Sequence, residues 1–387
     1  MEVLRFTAFL VYQKNMRNLT ICCFIFLLGV ISCAGRQVAS SDSKFEWLPT
    51  ECAPINYPAR ILRSYFVFPD GSTIYIPGDQ LIQNGWGKSG SVHIIGEKLK
   101  PVPSQLIIQW FSYLENRFYS GRFDLPVDRI HELFRLGVPS PGETSKRVEY
   151  KKIAVGVAPG GDVSLWMIAE RTRTEVASFR APEKELPWKW VLDNPDITRI
   201  QYVADALKEA LAPEVLLEIK KQQLPLGRWQ EDTQRWNWDP MVKGPFRSVE
   251  FWVSSFNGEN EWVDLKAENL KPGDEFQLFE PKVSVRARAL PSELTLYTVK
   301  HSGASFKSVI SFDRDEARRS ITSFATVSNL QAPHSGQPIV LKVEANVKKG
   351  DLLGAFRVIL EKDGNRRELT RVKSQSFQLS SSTTPCC

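Results

Sequence analysis

The chain has 387 residues, of which 42% are hydrophobic and 24% charged, and it carries a formal net charge of +6. That length leaves room for two domains and that balance for a packed core, which excludes a wholly disordered chain and a polytopic membrane protein. The excess of base is mild and basic and acidic residues are interspersed, so no nucleic-acid partner is expected.

The N-terminus stands apart. Residues 19–31 form an uncharged apolar run behind Lys14 and Arg17. A spanning helix needs about 20 apolar residues, so this shorter run reads as a signal peptide. It ends in Val30-Ile31-Ser32-Cys33, the pattern of a lipobox. In that reading the Cys33 thiol accepts diacylglycerol, and a peptidase cuts between Ser32 and Cys33, which requires a small residue at Ser32. Acyl chains bury about 0.8 kcal/mol per CH₂, so two or three of them hold a protein stably on a bilayer. Met16 begins a more typical signal than Met1, because Glu2 is unusual in such a leader. Ala34, in place of the aspartate that retains lipoproteins at the inner membrane, favours an outer membrane with the protein facing the periplasm.

Domain boundaries follow from composition. Residues 1–32 are the signal, 33–44 the lipid anchor and a small, polar tether, 45–240 a β-rich domain, 241–378 a second domain and 379–387 a tail. In the first domain, residues 61–68 and 73–76 flank Pro69-Asp70-Gly71 and predict a hairpin. Residues 105–113 and 117–123 predict strands joined at Glu115-Asn116, and 150–158 with 163–169 a hairpin closed by Pro159-Gly160-Gly161. A helix is predicted over 126–136, with Val127, Ile130, Leu133 and Phe134 on one face and Gly137 at its end. A second helical stretch, 195–223, has Asn194 as its cap, a stripe of Ile200, Val203, Leu207 and Leu211, and Pro213 as a divider. Strands at 246–254, 261–265, 283–289, 294–299, 337–347, 353–361 and 368–374 suggest an all-β sandwich or barrel. The fold class is thus mainly β with a few helices.

Searching for chemistry yields no catalytic motif, and neither an enzyme nor a cofactor is expected. Gly87-Lys88-Ser89 lacks the glycine a phosphate-binding loop needs five residues earlier, where Ile82 stands. Pro159-Gly160-Gly161-Asp162 is better read as a turn than as a phosphate cradle. His131 lies on the 126–136 helix with a solvent-facing or helix-end role as the plain reading, and no His/Cys spacing suggests a metal. Glu115 and Asp124 form a carboxylate pair only if the fold brings them together; an ion pair of Glu115 with Arg117 is the simpler reading. Cys52 has Cys386 or Cys387 as disulfide partners in an oxidising compartment, or none if those two sit in a frayed tail. The dense aromatics mostly suit a sheet core, and Arg235, Trp236 and Trp238 are selected as the candidate binding surface.

Trp86-Gly87, residues 106–119, 123–126 and 155–161, and Trp166 together resemble an uncharacterised family of Gram-negative lipoproteins, domain of unknown function 2931. The likeness covers about residues 45–240. It transfers no active site and implies a periplasmic lipoprotein, and some such proteins lie near genes for secreted antibacterial effectors. The expected function is therefore a membrane-anchored protein-binding module, with immunity against a secreted effector as one form of it. The alternatives are a structural lipoprotein that maintains the envelope and a hydrolase with a non-standard site.

Overall fold

Two hairpins read from the sequence organise the N-terminal part of the fold. Tyr65–Val67 pairs antiparallel with Thr73–Tyr75. Asp70 closes the turn by accepting from the Ser72 amide at 2.9 Å and hydroxyl at 2.6 Å, while Gly71 takes φ +84°. Gln105–Ser112 runs in register with Arg117–Asp124 along its whole length. On the other edge of Gln105–Ser112, Tyr65–Val67 and Ala59–Ile61 pair in succession, and Leu81–Ile82 completes a six-stranded sheet. The computed structural model describes residues 43–78, 80–267, 276–284, 287–324, 336–346 and 355–379.

A nine-stranded sheet forms the spine of the molecule. Its order is Leu48–Cys52, Lys152–Val157, Asp162–Ala169, Thr172–Arg180, Asn260–Val263, Phe246–Ser255, Pro291–Lys300, Ser305–Ser311 and Lys373–Gln378. The first pair is parallel and the others antiparallel. One register pair, Arg173 opposite Asn260, joins the strands up to residue 180 to those beyond 245. A second six-stranded sheet contains Trp238–Gly244, with Ile339–Ala345 parallel to it.

Strand alternation sends side chains of the spine to different cores. Ile153, Val155, Val157, Val163, Leu165 and Met167 pack with the N-terminal sheet and with Ile130, Leu133 and Phe134 of the helix Val127–Leu136. Farther along, Phe251, Val253, Leu294, Leu296 and Ile310 interleave with Val242, Leu341, Val343 and Leu360 of the second six-stranded sheet. The cores therefore divide near residue 236, whereas the sheet runs through. Residues from Lys44 onward make one compact unit, and among the described residues no helix is long and apolar enough to cross a membrane.

The chain is mainly β, with five α-helices among the described residues. The second helical stretch is divided as Pro213 requires: Arg199–Ala210 is followed by Pro213–Lys221, with the proline in the first turn where its missing N–H costs nothing. Its cap is Thr198, not Asn194. The Thr198 hydroxyl accepts from the Gln201 amide at 3.3 Å, while Asn194 closes a turn onto the Asp196 amide. Ile200 departs from the expected stripe and is 77% exposed. Thr198→Ala should lower stability by about 1 kcal/mol, measured by urea unfolding, and no loss would mean that the capping bond contributes nothing.

The C-terminal part is not all-β. Arg314–Phe324 is a helix capped by Asp313, whose carboxylate accepts from the Glu316 amide at 2.8 Å. Of the strand expected over 283–289, the described residues show Arg288–Ala289 as a two-residue strand, and Arg288 also enters a buried ion cluster.

Candidate recognition cleft

A cleft of about 600 Å³ opens on the face of the nine-stranded sheet that points away from its C-terminal core. Its floor follows from period-two alternation. In Phe246–Ser255, Phe251 and Val253 enter the core, which leaves Glu250 and Trp252 on the opposite face. Trp252 stands directly opposite Trp262 on one neighbouring strand and Thr295 on the other; Glu250 stands opposite Tyr297, and Tyr297 opposite Lys307. A wall comes from the two-stranded hairpin of Val138–Ser140 and Glu143–Val148.

Arg171 leans over this floor from the turn between Asp162–Ala169 and Thr172–Arg180. The turn is held from two sides: Glu170 adopts φ +47°, and the Arg171 carbonyl accepts from the Asn260 side-chain amide at 2.7 Å. The Arg171 guanidinium lies 4.1 Å from the Trp252 ring centroid and 5.8 Å from that of Tyr297. The Trp252 indole N–H donates to Glu250 at 2.6 Å, which fixes the ring on which the cation rests. Among the described residues, no carboxylate lies within ion-pair distance of Arg171. Glu143, Glu170, Glu250 and Asp264 line the same cleft with Lys146; Asp264 pairs with Lys282 at 2.8 Å and Lys307 lies 5.9 Å from the Tyr297 ring, so carboxylates outnumber cations on the lining itself.

The segment selected from sequence lies elsewhere and is buried. Trp236 is 2% exposed and Trp238 fully enclosed, both within the C-terminal core, and Arg235 bonds to Glu259 at 2.7 Å. The two indoles present no surface, since Trp236 pairs with Arg288 and Trp238 lies beside Ile339 in the second sheet; the Arg235 side chain stays 33% exposed. Ser32, Cys33, Cys386 and Cys387 lie outside the described residues. Cys52 is enclosed by Ala154, Trp166 and Ile168, and burial pushes its thiol up to about 12.

The remaining candidates resolve as structural. The Gly160 amide, which a phosphate would need, donates at 3.0 Å to Glu115, whose same oxygen accepts from the Tyr119 hydroxyl at 2.7 Å. Asp124 accepts from Gln105, away from Glu115, and Arg117 pairs at 2.6 Å with Glu183 rather than with Glu115. His131 packs edge-on against Phe45 instead of facing solvent. Gly87 is pressed against Gly258, where a Cβ would meet the Gly258 carbonyl oxygen at 2.6 Å. Among the described residues, no group of three His, Cys, Asp or Glu could hold a metal ion.

Residues 34–227 match the model of the family described as Protein of unknown function (DUF2931), half of the chain. The chain belongs to this family. Neither the curated proteins nor the solved structures gave a match. The DUF2931 segment supplies the hairpin wall and Arg171 of the cleft, and the part of the chain beyond it supplies the aromatic floor.

Proposed function

We propose that this DUF2931 protein is a lipid-anchored binding module that grips a protein partner in the cleft beneath Arg171. The observation that carries the reading is the stacking of Arg171 on Trp252 and Tyr297 with no carboxylate partner among the described residues. A guanidinium so oriented presents its N–H donors to an acceptor on a ligand. The surrounding acids repel a simple anion, so the ligand must carry basic groups as well as acceptors. A polypeptide surface meets both demands. In this reading Cys33 bears the lipid, the body faces the periplasm from the outer membrane, and the partner is a secreted effector that the protein neutralises.

A photo-crosslinking residue at exposed Ser248, in the full chain in living cells, should give one discrete polypeptide adduct. Arg171→Glu and Trp262→Ala should each reduce that adduct by about tenfold or more, as expected of anchor residues in an interface. They should also remove resistance to the effector, once it is identified from the adduct. An adduct that both variants leave unchanged would sink the cleft as the recognition site.

A further inference from the structure

The surface where the chain enters its folded body carries apolar side chains that its cores do not use. Ile94 is 92% exposed, the highest value among the large hydrophobic residues described, and Leu99 and Tyr75 are 51% and 41% exposed. They lie close together. Lys44–Glu46, the first strand of the body, pairs with Leu99–Pro101, and the Tyr75 hydroxyl bonds to His93, next to Ile94, at 2.9 Å. A hollow of about 420 Å³ between Lys44, Ile74, Ile95 and Leu99 continues this patch inward.

We infer that this patch is a second, non-covalent contact with the bilayer, in which Ile94 and Leu99 enter the interface between headgroups and acyl chains. The inference rests on the lipid-anchor reading, since the chain between Cys33 and Lys44 can span at most about 40 Å whatever its conformation. Lys44 is therefore held within about 40 Å of the anchor, and Leu99, opposite Glu46 on the paired strand, and Ile94 belong to the same part of the body. Tyrosine with exposed aliphatic side chains and lysines is the composition that settles at a membrane interface. Charge does not drive the contact: Lys44 pairs with Glu97 at 3.3 Å and Lys98 with Glu46 at 3.8 Å, which leaves the patch near neutrality. Salt should consequently leave it intact, unlike a polybasic attachment.

The test uses the full chain, processed in its host and reconstituted in phosphatidylcholine–phosphatidylglycerol vesicles. Cys386 and Cys387 are replaced by serine; Cys52 is buried and does not label. A nitroxide at Ile94→Cys should then be more accessible to oxygen than to a water-soluble nickel chelate. The same label at Ile200→Cys, an exposed isoleucine on another element, should behave as in water. The Ile94 signal should persist in high salt. In a chain that starts at Ala34, and so carries neither the apolar run nor the lipid, Ile94→Glu should cut vesicle partition by about tenfold, and this exposed substitution has no packing to disturb. An Ile94 label that stays aqueous, while mass spectrometry finds lipid on Cys33, overturns the inference and leaves the anchor standing. A label immobilised without gaining oxygen accessibility overturns it in favour of a protein contact. A chain with unmodified Cys33 overturns both.

Discussion

Arg288→Ala is expected to lower the unfolding free energy by about 3–5 kcal/mol, a large share of the stability of a typical domain. Arg288 is 3% exposed and bonds to Asp239 at 2.5 Å, to Glu261 at 2.6 Å and to the Trp238 carbonyl at 3.1 Å. Asp239 is 6% exposed and also accepts from the Ser284 hydroxyl. Removing the guanidinium leaves Asp239 charged in a site with little water. The penalty is that of an uncompensated ion, not the net worth of the pair. Arg288→Met, which keeps the apolar stem, should therefore also destabilise, and adding Asp239→Asn should recover about half of the loss. Urea unfolding of the full chain at pH 7 measures all three. If the double variant is no more stable than the single one, the charge account is wrong.

Glu175→Gln should act in the opposite direction, and its effect should depend on pH. The Glu175 side chain is 6% exposed; it accepts from the Asn257 side-chain amide at 2.8 Å and lies 3.9 Å from Arg235. Burial first, and the nearby Glu259 carboxylate second, raise its pKa to about 7. Below the unfolded value of 4.5, both states hold the proton and nothing is lost. As pH rises from there, the unfolded chain releases the proton while the folded protein keeps it, so stability falls until about pH 7 and then levels off. A shift of this size corresponds to about 3 kcal/mol at pH 8. Glutamine carries no charge to desolvate and still accepts from Asn257. The variant should thus gain most of that amount at pH 8 and match the parent at pH 4. Equal stabilities at pH 8 would show that Glu175 ionises in the folded protein without penalty.

Much of the local structure was legible because its causes are local. The Asp70–Gly71 turn, the strand pair around Asn116 and the helix Val127–Leu136 each carry their signal within about a dozen residues. The helix Arg314–Phe324 had a readable start in Asp313 and Glu316. It went unread because small residues, Ala317 and Ser320, make up most of its buried face with Ile321. The site was less legible. Composition marks Trp236 and Trp238 as aromatics beside an arginine equally well whether they face water or a core. What buries them is pairing with residues near 288 and 339, which no local pattern reveals. Conversely, Trp252 and Trp262 show an alternation that fits a sheet face, but Arg171 reaches Trp252 through a turn some eighty residues upstream, an approximate separation that defeats any window-based reading.

The single register pair between Arg173 and Asn260 affects how the protein comes into being. The chain up to residue 227 leaves the ribosome before residues 257–260 follow. Until then the Trp166 indole N–H and the Arg173 guanidinium wait for the carbonyls of Asn257 and Gly258, to which they donate at 3.0 and 2.8 Å. The Glu175 carboxylate waits likewise for Asn257. The nascent half is consequently a body with an unfinished margin, dependent on its own later residues for closure. Residue 227 is a border of kinship, and the unit that folds extends past it.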